Sequence, residues 1–196
     1  MTHPIRLAAA APLWVMAVLL PGAGARAEPR LQDVLSAVTL SFAADGGFDR
    51  AVLTQNGDAG ADLTIFRAVP APDAAAAPLK PAFFKKDVAF SGQSWGTLPS
   101  LSVNGAGSLV IASENDAVGR DRWHQTLTVA YRDGAYRIIG ITYDHRDTLD
   151  LSSGGSCDLN LSTGRGTAGG KPVTAKLSPI PLADWSDGKL PAACGG

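Results

Sequence analysis

The densest group of titratable side chains is Tyr143, Asp144, His145, Arg146 and Asp147, with His124 one predicted hairpin upstream. A histidine beside a carboxylate is the minimum for general acid–base chemistry. A hydrolase built on this chain would use His124 or His145 with Asp144 or Asp147, and Tyr143 beside His124. The plainer reading is a charged loop at a strand end, solvated and held by local turn and ion-pair contacts. Two histidines and one of these aspartates could also hold a metal, but no H-E-x-x-H spacing occurs. No G-x-S-x-G is present either, and Ser94, between Gly92, Gln93, Trp95 and Gly96, is not a nucleophile elbow. Gly164, Gly166, Gly169 and Gly170 read as a hairpin turn, not a phosphate cradle, because no helix is predicted to follow them.

Two further residue sets carry chemistry of a different kind. Trp95 and Trp185 lie in glycine- or proline-flanked stretches, where an exposed ring could stack on a sugar or a peptide. Trp123 falls on a predicted core face and reads as structural. Cys157 and Cys194 are the only cysteines. A lone pair in an oxidising compartment forms a disulfide, and neither C-x-x-C nor a paired-histidine motif points to redox or metal use.

These residues need strands to position them. Residues 122–131 and 136–143 alternate apolar and polar side chains around Arg132, Asp133, Gly134 and Ala135. An Asp-Gly pair between two such runs predicts a type I′ hairpin. In that register Tyr131 faces Tyr136, Val129 faces Ile138 and His124 faces Tyr143. Trp123, Leu127, Val129, Tyr131, Tyr136 and Ile138 then share a core face, while His124, Arg137, Ile139, Ile141 and Tyr143 fall on the other. Further strands are predicted near 38–42, 48–55, 63–69, 83–90, 98–103, 108–113, 157–162 and 171–177. Leu31, Val34, Leu35 and Val38 are at helical spacing, so 30–36 is expected as one short helix. Residues 69–81 are rich in proline and alanine and read as a long surface loop. The tail from 178 reads as irregular. The expected fold is all-β, a mostly antiparallel sandwich or barrel-like sheet in one domain spanning 28–196.

The stretch 122–166 resembles a pattern of exported bacterial proteins with no assigned activity. It is carried by Trp123, by Tyr131, Arg132, Asp133 and Gly134, by Ile138, Ile139 and Gly140, and by residues 160–166. Residues 42–53 are similar to the aspartate-glycine turn of FG-GAP or VCBS repeats, which hold calcium on alternate acidic positions. That resemblance implies a calcium role for Asp45 and Asp49, but Ala43 and Gly47 stand where more oxygen ligands belong. Two carboxylates fall short of the six to eight oxygens calcium takes.

The first 27 residues set the expected compartment. Arg6 precedes an uncharged, largely apolar run over 7–20, Pro21 and Gly22 break it, and Ala25, Arg26 and Ala27 form a small-x-small cleavage pattern. Residues 1–27 are expected to be a signal peptide and the product periplasmic or secreted. Of the 18 acids only Glu28 and Glu114 are glutamates; an aspartate excess favours turns over helix interiors. A net charge of −1 argues against a nucleic-acid partner, and no later apolar run is long enough to span a membrane. The sequence therefore points to an exported, non-catalytic binding or accessory protein that meets an envelope protein or small ligand, with no cofactor. The hydrolase and the calcium-stabilised adhesion or scaffold module stand as alternatives.

Overall fold

The computed structural model describes residues 31–42, 47–67, 81–150 and 152–194. The expected signal peptide, Asp45 and nearly all of the 69–81 loop lie outside them. The described residues form two antiparallel sheets in a sandwich-like arrangement, without barrel closure. The first contains β1 (Val34–Leu40), β2 (Asp49–Asn56), β3 (Gly60–Phe66) and β4 (Pro81–Phe90), in sequence order. The second runs β11-β10-β9-β8-β7-β6-β5. Its strands are β5 (Ser100–Val103), β6 (Leu109–Asn115), β7 (Asp121–Arg132), β8 (Ala135–Asp147), β9 (Gly154–Asn160), β10 (Arg165–Ala168) and β11 (Lys171–Thr174). A short β12 (Ile180–Pro181) pairs with β8. Among the described residues no helix is long and apolar enough to cross a membrane.

Alternation explains the core. Asp49, Ala51 and Leu53 of β2, and Ala61, Leu63 and Ile65 of β3, are buried at every second position. The apolar members, Ala51, Leu53, Ala61, Leu63 and Ile65, join Leu109, Ile111, Leu127, Val129, Ile138 and Leu159 of the other sheet in one cluster. Where the sheet edges meet, the Leu101 amide donates to Ser36 Oγ at 2.9 Å.

The β7–β8 hairpin closes at Asp133 and Gly134, with φ of 51° and 76°, as a type I′ turn requires. Tyr131 pairs with Tyr136 and Val129 with Ile138, as the alternation predicts. The next step differs. Thr128 pairs with Gly140, so Ile139 is an extra residue in β8, a bulge. The bulge turns Ile141 into the core and puts Tyr143 opposite Gln125 on the inner side. His124 consequently faces Asp144, not Tyr143.

Three other expectations change. The helix over 30–36 is a single 3-10 turn, Leu31–Asp33, and β1 starts at Val34 because pairing with β2 outweighs the apolar spacing. The glycine-rich stretch after β9 is not one turn; it contains β10, paired to both β9 and β11. The tail is built into the fold. Leu182 and Trp185 are fully buried, the Trp185 indole donates to the Val88 carbonyl at 3.0 Å, and Gln125 Nε2 donates to Asp187 Oδ1 at 2.9 Å. Burial raises the Asp187 carboxyl above its usual range, partly offset by that Gln125 bond. Cys157 and Cys194 form the expected disulfide, with Cα atoms 5.1 Å apart, and fasten the tail to β9.

Candidate functional site

Three neighbouring strands assemble the polar group around His124. Glu114 of β6 is opposite His124 of β7, which is opposite Asp144 of β8, so all three project from one face. Asp116, from the turn after β6, completes the set. His124 Nε2 lies 2.9 Å from Asp116 Oδ2 and 3.7 Å from Glu114 Oε2, while Nδ1 lies 3.2 Å from Asp144 Oδ1. Arg146 Nη2 donates to the other Asp116 oxygen at 3.0 Å. The hydrogen bond to Asp116 raises the His124 pKa above its ordinary value; burial opposes it, and the bond to Asp144 adds to the rise. The bond between His124 and Asp116 also lowers the Asp116 carboxyl. His124 thus sits among three carboxylates on an open sheet face, which favour its protonated form.

The other expected members lie elsewhere. Trp123 is opposite His145 and Asp121 is opposite Asp147, so His145, Asp147 and Tyr143 share the opposite face from His124 and Asp144. Tyr143 stacks between Trp123 and His145, with ring centroids 6.3 and 5.7 Å away, and burial raises its pKa. Asp147 pairs with Arg120 at 2.6 Å, which lowers its carboxyl, and caps the amides of Leu149 and Asp150. The two histidines do not line a common pocket. Both cysteines are in the disulfide, and no hydroxyl is among the His124 partners within the described residues. Glu114, Asp116 and His124 do bring ligand atoms within 4.8 Å of one another, a grouping of metal-ligating type. Arg146, bonded to Asp116, competes with a cation there.

The tryptophans separate as well. Trp185 fills the core at 2% exposure and presents no platform to a ligand. Trp95 is 51% exposed on a 3-10 turn, Gln93–Trp95, between β4 and β5. Its loop is closed by a frame of bonds: Gly92 N to Thr97 O at 2.8 Å, Thr97 N to Gly92 O at 3.2 Å and Trp95 N to Gly92 O at 2.8 Å. Ser91 anchors the near end to Gln55 Oε1 and to the Ala59 carbonyl. A β-carbon on Gly92 would collide with Thr97 Oγ1, so any larger residue there must displace the Thr97 side chain. Leu98, 49% exposed, follows the frame and forms one wall of an open hollow of about 300 Å³. Its far wall is Glu114, His124 and Thr126. Leu98, Glu114 and Asp116 are not apparent from sequence, because strand pairing between distant segments brings them to His124. Asp49 faces inward, with its Oδ2 accepting the Phe42 amide at 3.0 Å and its Oδ1 3.9 Å from Arg67 Nε.

Compared with known proteins, the chain matches no family model, no curated protein and no solved structure.

Proposed function

We propose that this chain is an exported, non-catalytic binding protein that engages an envelope partner through the Trp95 loop and the adjoining Leu98–His124 hollow. The observation that carries the reading is the frame under Trp95. A large ring half in water costs solvation. Here it is presented on a loop fastened by five backbone bonds and one side-chain anchor. A rigid, exposed aromatic loses little entropy on binding and is a favoured interface anchor. The hollow beside it offers an apolar wall, Leu98, and a charged wall, Glu114 and His124, the mix of contact and orientation that specific interfaces use. Export is supported by the leader pattern of residues 1–27 and by a disulfide that suits an oxidising compartment.

The test is a photo-crosslinking amino acid at position 98 in the exporting cell. A discrete adduct is expected, lost when Trp95→Ala is added and not seen from position 142 on the same sheet. No adduct from position 98, or one indifferent to Trp95→Ala, contradicts the reading.

A further inference from the structure

An open hollow of about 500 Å³ lies beside the hairpin tip, at the other end of β7 and β8 from His124. Three segments of the chain meet there. Tyr136 and Ile138 of β8 are buried, so Arg137 between them projects from the outer face of the sheet. Arg137 is opposite Ala130, and Arg132 stands two residues beyond Ala130 on β7. The two arginines therefore hold diagonal positions on that face, within reach of one another. The pairing of Pro181 with Arg137 brings Ser178 and Pro179 alongside. The Leu161 amide, donating to the Ile139 carbonyl at 2.9 Å, brings in Ser162. Asn160 Oδ1 accepts the amides of Ser162 and Thr163, both at 3.0 Å, and holds that turn.

Two like charges gathered on one wall repel, and neither guanidinium makes a hydrogen bond or ion pair among the described residues. Asp133, the one acid of the wall, is set in the turn at φ 51° and forms no ion pair with either. Arg137 Nε is enclosed without a partner, so this side chain meets a ligand through its Nη pair. From this arrangement we infer a binding site for a phosphate monoester group, held by Arg132 and Arg137 with the hydroxyls of Ser162 and Ser178 beside it. Hydroxyls donate or accept, so the arginines, which only donate, set the sign of the ligand. Two arginines against one aspartate leave the wall net positive. The two oxygens of a carboxylate lie in one plane and serve one fork, whereas the oxygens of a phosphate spread in three dimensions and serve two. The hollow is larger than a bare ion, which leaves room for the esterified remainder. That remainder is either a small solute or a lipid whose headgroup carries the phosphate. The site is separate from the Trp95 loop, so either assignment can fail without the other.

Glycerol 3-phosphate is the probe, with glycerate as its carboxylate counterpart, each titrated into the purified protein at low ionic strength and followed by amide NMR. Glycerol 3-phosphate is expected to give saturable shifts at Gly134, Ser162 and Ser178 with a Kd on the order of 1 mM. Glycerate should bind about tenfold more weakly. Arg132→Gln, at an exposed position, should weaken the phosphate several-fold and leave the melting temperature unchanged. Arg137→Lys keeps the charge but loses the fork, and should also weaken it. Vesicles then separate the two sources. Cosedimentation with vesicles of phosphatidic acid in phosphatidylcholine, absent with phosphatidylcholine alone, assigns a lipid phosphate; none with either assigns a phosphorylated solute. The inference fails if glycerol 3-phosphate gives no saturable shifts, if glycerate binds as tightly, or if Arg132→Gln and Arg137→Lys both leave its affinity unchanged.

Discussion

Two segments of this chain look alike in sequence and behave oppositely. Around Trp95 and around Trp185, glycine or proline flanks a tryptophan within a stretch lacking strand periodicity. In the tail, Trp185 is fully buried and donates to Val88, its neighbour Asp187 takes a bond from Gln125, and Cys194 is tied to Cys157. In the 91–99 loop, the bonds run within the loop and to Gln55 and Ala59, and the ring is left outside. The tail spends its tryptophan on packing; the loop spends its hydrogen bonds on holding a tryptophan in water. Flanking residues specify an irregular backbone in both cases, and partners far away in sequence decide which way the ring points.

That contrast can be broken by substitution. Trp185→Ala should destabilise the fold by about 3–5 kcal/mol, whereas Trp95→Ala should change stability by no more than about 0.5 kcal/mol, both read by urea unfolding. Comparable losses would erase the distinction. Replacing both Cys157 and Cys194 by alanine should cost about 2–4 kcal/mol by the same assay, because the link between tail and β9 is lost. Gly92→Val should cost about 1–3 kcal/mol, since the side chain meets Thr97, and should shift the Trp95 emission while leaving Trp185 protected.

A small, pH-dependent effect belongs to His124. Its folded pKa is raised, so its contribution is complete below the unfolded value of about 6.5 and fades as pH rises through the folded value. On an open face this amounts to less than about 1 kcal/mol. The lowered Asp116 works in the other window: its contribution is present above the usual carboxyl range and is lost as pH falls through its folded pKa. Between pH 5 and 8, wild type should lose this small increment and His124→Asn should not, as compared by denaturation midpoints.

The strands and the hairpin turn were legible because alternation and an Asp-Gly pair are local signals. The bulge at Ile139 was not, since an extra residue appears only once β7 is laid against β8; Gly140, whose backbone sits beside Thr128, was its one trace. That single residue moved His124 from Tyr143 to Asp144 and carried Ile141 into the core. Glu114 and Asp116 were invisible as neighbours of His124 for the same reason: cross-strand partners are separated along the chain. Leu31, Val34, Leu35 and Val38 imitated a helix because an edge strand with a half-buried face need not alternate strictly. Proline in the tail argued correctly against a long sheet strand there, but irregular backbone is not the same as exposed backbone, and Leu182 and Trp185 are core residues.

Hydrogen exchange measured by NMR at the indole and loop amides tests the rigid display of Trp95 most directly. The Trp185 indole N–H should be protected, the Trp95 indole N–H should exchange quickly, and the Thr97 amide, bonded to Gly92, should be protected beside it. Fast exchange at Thr97, or a Trp95 indole as slow as that of Trp185, would contradict the account.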